Sequence, residues 1–161
     1  MIIRPARETD AKAIACVQNL IIRDTAITFN SEEKTPEDIA ASIRDLPCFL
    51  VATADDQMLG FASYTQFRRG IGYARAMEHT IVLRPDARGH GLGRDLMQAT
   101  EHHAREHGVA SLWAGVSGEN PSGVTFHAKL GFEEIANLPK VGFKFGRWMD
   151  LVLMRKWLLK D

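Results

Sequence analysis

Apolar positions recur along this chain with two periods, and each change of period marks an element. Ile2-Ile3-Arg4 reads as a short first strand. Thr9-Asp10 can then cap a helix whose apolar stripe is Ile14, Val17 and Ile21. Thr25 to Lys34 is polar and without period. Thr35 caps a second helix, with Pro36 in its first position, which runs through Ile39 and Ile43 to Asp45. Phe49 to Ala54 and Met58 to Phe67 read as strands. The turn Asp55-Asp56-Gln57 between them predicts an antiparallel hairpin. Arg68 to Gly72 is a loop and Tyr73 to Leu83 a long strand. Leu92, Leu96, Met97, Thr100 and Ala104 return to helical spacing, and this helix ends before Gly108. Leu112 to Val116 is a strand, and Pro121 to Leu130 a short helix stopped by Gly131. Two closing strands cover Glu133 to Leu138 and Trp148 to Arg155. The order predicts an α/β (α+β) sandwich, a mixed sheet with helices on both faces, as one domain over residues 1–161.

Composition narrows the function. A chain of 161 residues with 45% hydrophobic content can fill one core. Twenty basic residues balance twenty acidic ones, which removes a global electrostatic case for nucleic acid or an anionic membrane. No apolar run is long enough to span a bilayer, and Met1 to Pro5 lacks the architecture of a signal peptide. Cys16 and Cys48 sit in apolar contexts with no C-x-x-C pair, so both read as buried, reduced thiols of a cytoplasmic protein.

The chemistry concentrates in Arg88-Gly89-His90-Gly91-Leu92-Gly93, which lies between a strand and a helix. Alternating glycines let backbone N–H groups approach a ligand closely, and the helix N-terminus adds partial positive charge. A phosphate or pyrophosphate is the natural guest. Two nucleotide patterns fail on spacing. G-x-G-x-x-G would need glycine where Arg94 stands, and no G-x-x-x-x-G-K run exists. What remains is R-x-x-G-x-G. A turn that merely caps the helix is the plainer alternative.

This run resembles the pyrophosphate loop of the GCN5-related N-acetyltransferases (GNAT), which bind acetyl-CoA. The resemblance implies coenzyme contacts from Arg88, Gly89, His90, Gly91, Leu92, Gly93 and Arg94. Asn120 to Phe132 resembles the second signature of that family, in which the asparagine opens a helix and contacts the coenzyme and a phenol or imidazole, here His127, follows seven residues later. The chain is similar to a narrower branch, the phosphinothricin and methionine sulfoximine acetyltransferases. That likeness rests on Tyr73 to Val82 around Glu78-His79-Thr80, on His127, and on Val141 to Leu151. It implies the GNAT fold with a mostly antiparallel central sheet, acetyl-CoA as co-substrate, a small amino acid analogue as acceptor, no metal, and a homodimer.

Acetyl transfer to an amine needs a free lone pair, a polarised thioester carbonyl and a protonated leaving sulfur. Strand parity puts Glu78, Thr80 and Val82 on one face, and His79, Ile81 and Leu83 on the other. Glu78 lies four steps from Val82, roughly 13 Å at ~3.3 Å per residue, so it would reach the incoming ammonium directly or through water. The resemblance makes Glu78 the base. A solvated carboxylate, or a partner for Arg68 or Arg75, is the alternative. It also implies that Ile81, Val82 and Leu83 act through backbone groups, one N–H near Val82 polarising the carbonyl. His127 becomes the candidate acid for the thiolate, against a core histidine. Glu78, His79 and Thr80 are expected beside the acceptor, with Phe29 as a wall and Arg68 or Arg69 gripping a carboxylate or an S=O or P=O oxygen. Lys144, Phe145 and Trp148 are expected to reach a neighbouring subunit's site. A peptide N-terminus or polyamine acceptor, and a non-catalytic acyl-CoA sensor, are the competing readings. His103 to His107 matches H-x-x-E-H, but at a helix C-terminus, where solvated histidines are favoured.

Overall fold

Seven strands form one sheet in the order β1-β2-β3-β4-β5-β7-β6 in the computed structural model, which describes residues 1–160. The strands are β1 (Ile2–Pro5), β2 (Cys48–Ala54), β3 (Gln57–Gln66), β4 (Ala76–Leu83), β5 (Ser111–Ser117), β6 (Glu133–Lys144) and β7 (Arg147–Trp157). The helices are α1 (Ala11–Asp24), α2 (Pro36–Asp45), α3 (Leu92–Glu106) and α4 (Pro121–Lys129). Every strand pair is antiparallel except β4 with β5. The architecture is the expected mixed, mostly antiparallel sheet with helices on both faces. Among the described residues no helix is long and apolar enough to cross a membrane.

Local chemistry accounts for the elements that position the site. Thr35 Oγ1 accepts from the Asp38 N–H at 3.1 Å, and the Asp38 carboxylate accepts from the Thr35 N–H at 2.9 Å, a reciprocal cap with Pro36 at the first position of α2. Asp55 and Asp56 both take positive φ, 48° and 60°, which matches the turn to the twist of the β2–β3 hairpin. Helices α1 and α2 bury Ile14, Val17 and Ile39 against Val51 and Phe61 on one face. Helix α3 buries Leu96 and Met97 with Tyr64, Leu112 and Met154 on the other, and Phe126 of α4 packs against that cluster.

Four expectations need correction. Asp10 does not cap α1. Its carboxylate takes two bonds from Arg4, 2.8 and 2.9 Å, and one from the Arg7 N–H, which fixes the turn before the helix. Strand β4 begins at Ala76 rather than Tyr73, because Ile71–Tyr73 closes a 3₁₀ turn. Strand β6 continues to Lys144, through an irregular register between Leu138 and Gly142. Cys48 is buried but Cys16 is exposed, on the outer side of α1.

One irregularity creates the site. The β4–β5 ladder has only three rungs: Ala76 with Ser111, Met77 with Leu112, and Glu78 with Trp113. Beyond Glu78, β4 stays paired with β3 as far as Leu83, while β5 stays with β7 as far as Ser117. The two strands part, and a cleft opens between them.

Candidate active site

The cleft has a volume of ≈ 800 Å³. Its walls are Glu78 to Leu83 of β4, Ala114 to Ser117 of β5, the glycine loop, the first turns of α4 and the Ile27–Asn30 loop. Most of the residues singled out by sequence therefore meet at one place.

Glycine is required at two points of the loop. Gly89 and Gly91 hold φ of 83° and 80°, a region that L side chains seldom enter. Gly91 is the residue before α3, and no side chain caps that helix. Its first intrahelical bond runs from the Asp95 N–H to Gly91 O, 3.1 Å, so the earlier N–H groups are open to a ligand. Arg88 and Arg94 flank the same mouth. An anionic pyrophosphate fits this donor set. Gly93 has a different reason: a Cβ there would sit 3.0 Å from the Phe126 ring and 3.3 Å from Leu83. Leu92 is buried against Ala52 and Ala87, so it offers only its backbone, and the exposed His90 is not part of the wall.

Successive backbone groups in a strand point alternately to its two neighbours. The Arg84 N–H bonds Leu59 O on β3 at 2.7 Å, and the β3–β4 register is unbroken from Met77 to Leu83. By alternation the Val82 N–H also belongs to β3. The N–H and C=O groups of Ile81 and Leu83 face the split and await an added strand. Of the three residues expected to act through their backbone, Ile81 and Leu83 therefore have the groups that face the cleft, while those of Val82 are turned to β3.

Glu78 lies at the last rung, where its carboxylate enters the cleft over Gly115; a Cβ on Gly115 would be 3.3 Å from Glu78 Oε2. Burial alone raises its pKa above the usual carboxylate range. Neither arginine offered as its partner is engaged there: Arg75 donates to Gly108 O at 3.0 Å and Arg68 lies over the Tyr73 ring. Thr80, exposed and on the same face, lines the cleft.

Asn120 caps α4. Its Oδ1 accepts from the Gly123 N–H at 3.2 Å and from the Ser122 hydroxyl at 3.0 Å, and the residue also lines the cleft. His127 is buried, with both ring nitrogens in use: Nδ1 lies 2.7 Å from Gly123 O, and Nε2 lies 3.0 Å from His79 Nε2. As placed, it has no spare N–H for a leaving sulfur, so the acid role expected of it lacks a donor. His79 is corrected as well. Its ring is buried edge-on to Phe132 and bonded to His127, on the face of β4 opposite Glu78, so it borders the cleft beside His127 and not beside the Glu78 carboxylate.

Phe29 is in the wall, its ring laid flat on Gly142 of β6, where even a Cβ would collide with it. Lys144, two residues on, is buried. Its Nζ donates to the carbonyls of Ile22, Thr25 and Thr28 at 2.6, 2.7 and 3.0 Å, clamping the end of α1 and the acceptor-side loop. It is spoken for within its own chain and does not extend toward a neighbour. Phe145 and Trp148 are exposed. Arg68 and Arg69 do not reach the cleft. They border a separate surface depression at the opposite end of β4, where the Gln66 amide holds the loop through the carbonyls of Arg68 and Gly70, 2.8 and 2.6 Å. Gly142 and Lys144 shape the site, yet no local motif advertises either role.

The H-x-x-E-H run has other work. His103 Nδ1 bonds the Tyr64 hydroxyl at 2.7 Å, and His107 stacks on the His103 ring. Among the described residues no three His, Cys, Asp or Glu side chains are grouped to hold a metal ion.

Comparison with known proteins identifies the family. The sequence profile of the acetyltransferase (GNAT) family matches residues 15–132. The L-methionine sulfoximine/L-methionine sulfone acetyltransferase of Pseudomonas paraeruginosa is 34% identical, over 95% of this chain and 92% of its own length. The phosphinothricin N-acetyltransferase of Streptomyces coelicolor is 30% identical, over 92% and 91%. The structure of yncA from Salmonella typhimurium, solved with its cofactor acetyl-CoA, superposes with a TM-score of 0.94 at 31% identity, covering 100% of this chain and 95% of that one. The chain belongs to the acetyltransferase (GNAT) family and is an acetyl-CoA-dependent N-acetyltransferase.

Proposed function

We propose that the enzyme moves the acetyl group of acetyl-CoA directly to the α-amine of a small amino acid analogue: methionine sulfoximine, methionine sulfone or phosphinothricin. The observation that carries this reading is the half-buried Glu78 carboxylate, facing the cleft at the point where β4 and β5 part. The coenzyme supplies a thioester whose carbonyl is open to attack. The glycine loop, Arg88, Arg94 and Asn120 hold its phosphate end, and the free backbone edge at Ile81 and Leu83 holds its arm and polarises the carbonyl. Glu78 takes one ammonium proton, directly or through water, and so frees the lone pair. The nitrogen attacks the thioester carbonyl carbon, the C–S bond breaks, and the proton that the new amide nitrogen sheds passes through water to the departing thiolate. Phe29, Thr80 and the loop clamped by Lys144 bound the acceptor. No step in this reading uses a metal.

The relatives named above act on sulfoximine, sulfone or phosphinothricin, and these supply the acceptor class. The cleft wall includes the uncharged polar residues Gln18, Thr28, Asn30 and Ser117, suited to the oxygens of a tetrahedral sulfur or phosphorus. A methionine thioether would leave such groups without partners. Purified enzyme should therefore acetylate methionine sulfone or sulfoximine with kcat/KM about tenfold or more above methionine, and lysine peptides at a negligible rate. Thiol release from acetyl-CoA across an acceptor panel measures this. Preference for methionine, for peptide N-termini or for polyamines would overturn the acceptor assignment and leave the family standing.

The same reading takes the enzyme as a cytoplasmic homodimer. Val141, Phe143, Phe145 and Trp148 are each more than half exposed on the β6–β7 hairpin, an apolar patch suited to a second copy. Both cysteines are free thiols, in keeping with a reducing compartment.

A further inference from the structure

The contact between His79 and His127 is the buried polar feature that the acetyltransferase reading leaves unused. His79 is the first residue of β4 past the last β4–β5 rung, and His127 belongs to α4, on the far side of the split. Their Nε2 atoms are 3.0 Å apart, and both side chains are almost fully buried. Phe132 meets both rings edge-on, at 5.4 and 5.2 Å between centroids, and Phe126 stands against His127. The pair is thus the polar tie that spans the apex of the cleft.

Proton positions follow from the partners. A carbonyl only accepts, so the contact with Gly123 O puts a hydrogen on His127 Nδ1. In a neutral ring His127 Nε2 is then a lone pair, and His79 must donate its Nε2–H to it. His79 Nδ1 is left as a bare lone pair, buried with no hydrogen-bond partner. Burial, and for His79 the neighbouring His127, disfavours the charged form of both rings and outweighs the opposing pull of the Trp113 backbone on His79 and of Gly123 O on His127, which agrees with a neutral pair. The Trp113 backbone lies near the His79 ring without forming a hydrogen bond to Nδ1.

We infer that His79 is a positioning residue for acetyl transfer: its bond to His127 braces the split between β4 and α4 at the width the coenzyme arm needs, and keeps His127 from acting as the acid for the leaving sulfur. The inference rests on the acetyl-CoA reading of the cleft. Its two halves separate experimentally. A brace acts on coenzyme affinity, whereas an acid acts on turnover and gives kcat a fall at high pH.

The test uses the full-length enzyme, with acetyl-CoA affinity by direct titration and kcat against pH. His79→Leu removes the donor, while His79→Gln returns an amide N–H to about the same place. His79→Leu is expected to weaken acetyl-CoA binding about tenfold, the worth of one neutral hydrogen bond, with kcat within about threefold and its pH profile unchanged in shape. His79→Gln should recover most of that affinity, and His127→Gln should weaken binding without removing an alkaline limb. A folded His127→Gln enzyme with unchanged affinity, lost turnover and a lost alkaline limb would make His127 the acid and overturn the inference. Wild-type affinity in both His79 variants would also overturn it, leaving His79 as core filling. A wild-type protein that binds no acetyl-CoA would overturn the underlying reading as well, a result distinct from any difference among variants.

Discussion

Gly91→Val is expected to abolish acetyl-CoA binding in a protein that still folds. At φ 80° a β-branched residue strains the backbone by about 1–2 kcal/mol, and the loop relieves that strain by moving. Movement carries the open N–H groups at the start of α3 away from the pyrophosphate, and the new side chain intrudes on the same mouth. Two lost bonds to a charged group, at about 1.5–3 kcal/mol each, amount to a hundredfold or more in affinity. Gly108 provides the control. It holds φ of 75° past the end of α3, a Cβ there meets nothing within 4 Å, and it lies outside the cleft wall. Gly108→Val should therefore lose comparable stability and keep the coenzyme. Calorimetric titration beside a thermal melt separates the two effects. Unchanged affinity in a folded Gly91→Val protein would remove the glycine loop from the coenzyme site.

Glu78→Gln should lower kcat by about 10²–10⁴-fold at neutral pH with little change in acetyl-CoA affinity. The loss should shrink as pH rises, because an amine that deprotonates in solution no longer needs a base. Wild-type activity should itself rise with pH through an ionisation above the ordinary carboxylate value, since burial raises the Glu78 pKa and the working form is ionised. Stability should move the other way. A carboxyl whose folded pKa exceeds its unfolded value favours the fold below the unfolded pKa, and that contribution is lost as pH rises through the folded pKa. Replacing Glu78 by neutral glutamine should thus leave the melting temperature at pH 7 unchanged or higher. Wild-type turnover in the variant would dismiss Glu78 as the base. A uniform loss at every pH would make it a positioning group for the acceptor.

What the sequence disclosed was local. Thr35-Pro36 and Asp38 cap α2 through partners within three residues, and the alternating glycines place the α3 mouth without any tertiary information. Parity put Glu78 and His79 on opposite faces of β4, where they lie. The split after Glu78 was not legible, because Ile81-Val82-Leu83 have the side chains of any buried strand and only the missing rungs reveal the opening. Long-range contacts were equally hidden. Lys144 is expected from sequence to reach a neighbouring subunit, yet α1 and its loop, more than 110 residues earlier, bring three carbonyls of its own chain around it. Nothing in the sequence around Gly142 signals that the Phe29 ring lies on it. Arg68 and Arg69 were attractive for their charge, yet they stand at the wrong end of the strand they precede.

The three-rung junction has a consequence for how the enzyme is made. Every rung among β1 to β4 joins residues up to 83, and every rung among β5 to β7 joins residues from 111 onward. The sheet is two contiguous lengths of polypeptide, each with its own ladders, meeting along a short seam. During synthesis the first length leaves the ribosome with its hairpins and glycine loop complete before the second exists. Catalysis is assembled last, at the moment the late half docks on the early one. A nascent chain that ends before Ser111 carries the glycine loop but has neither Asn120 nor the cleft.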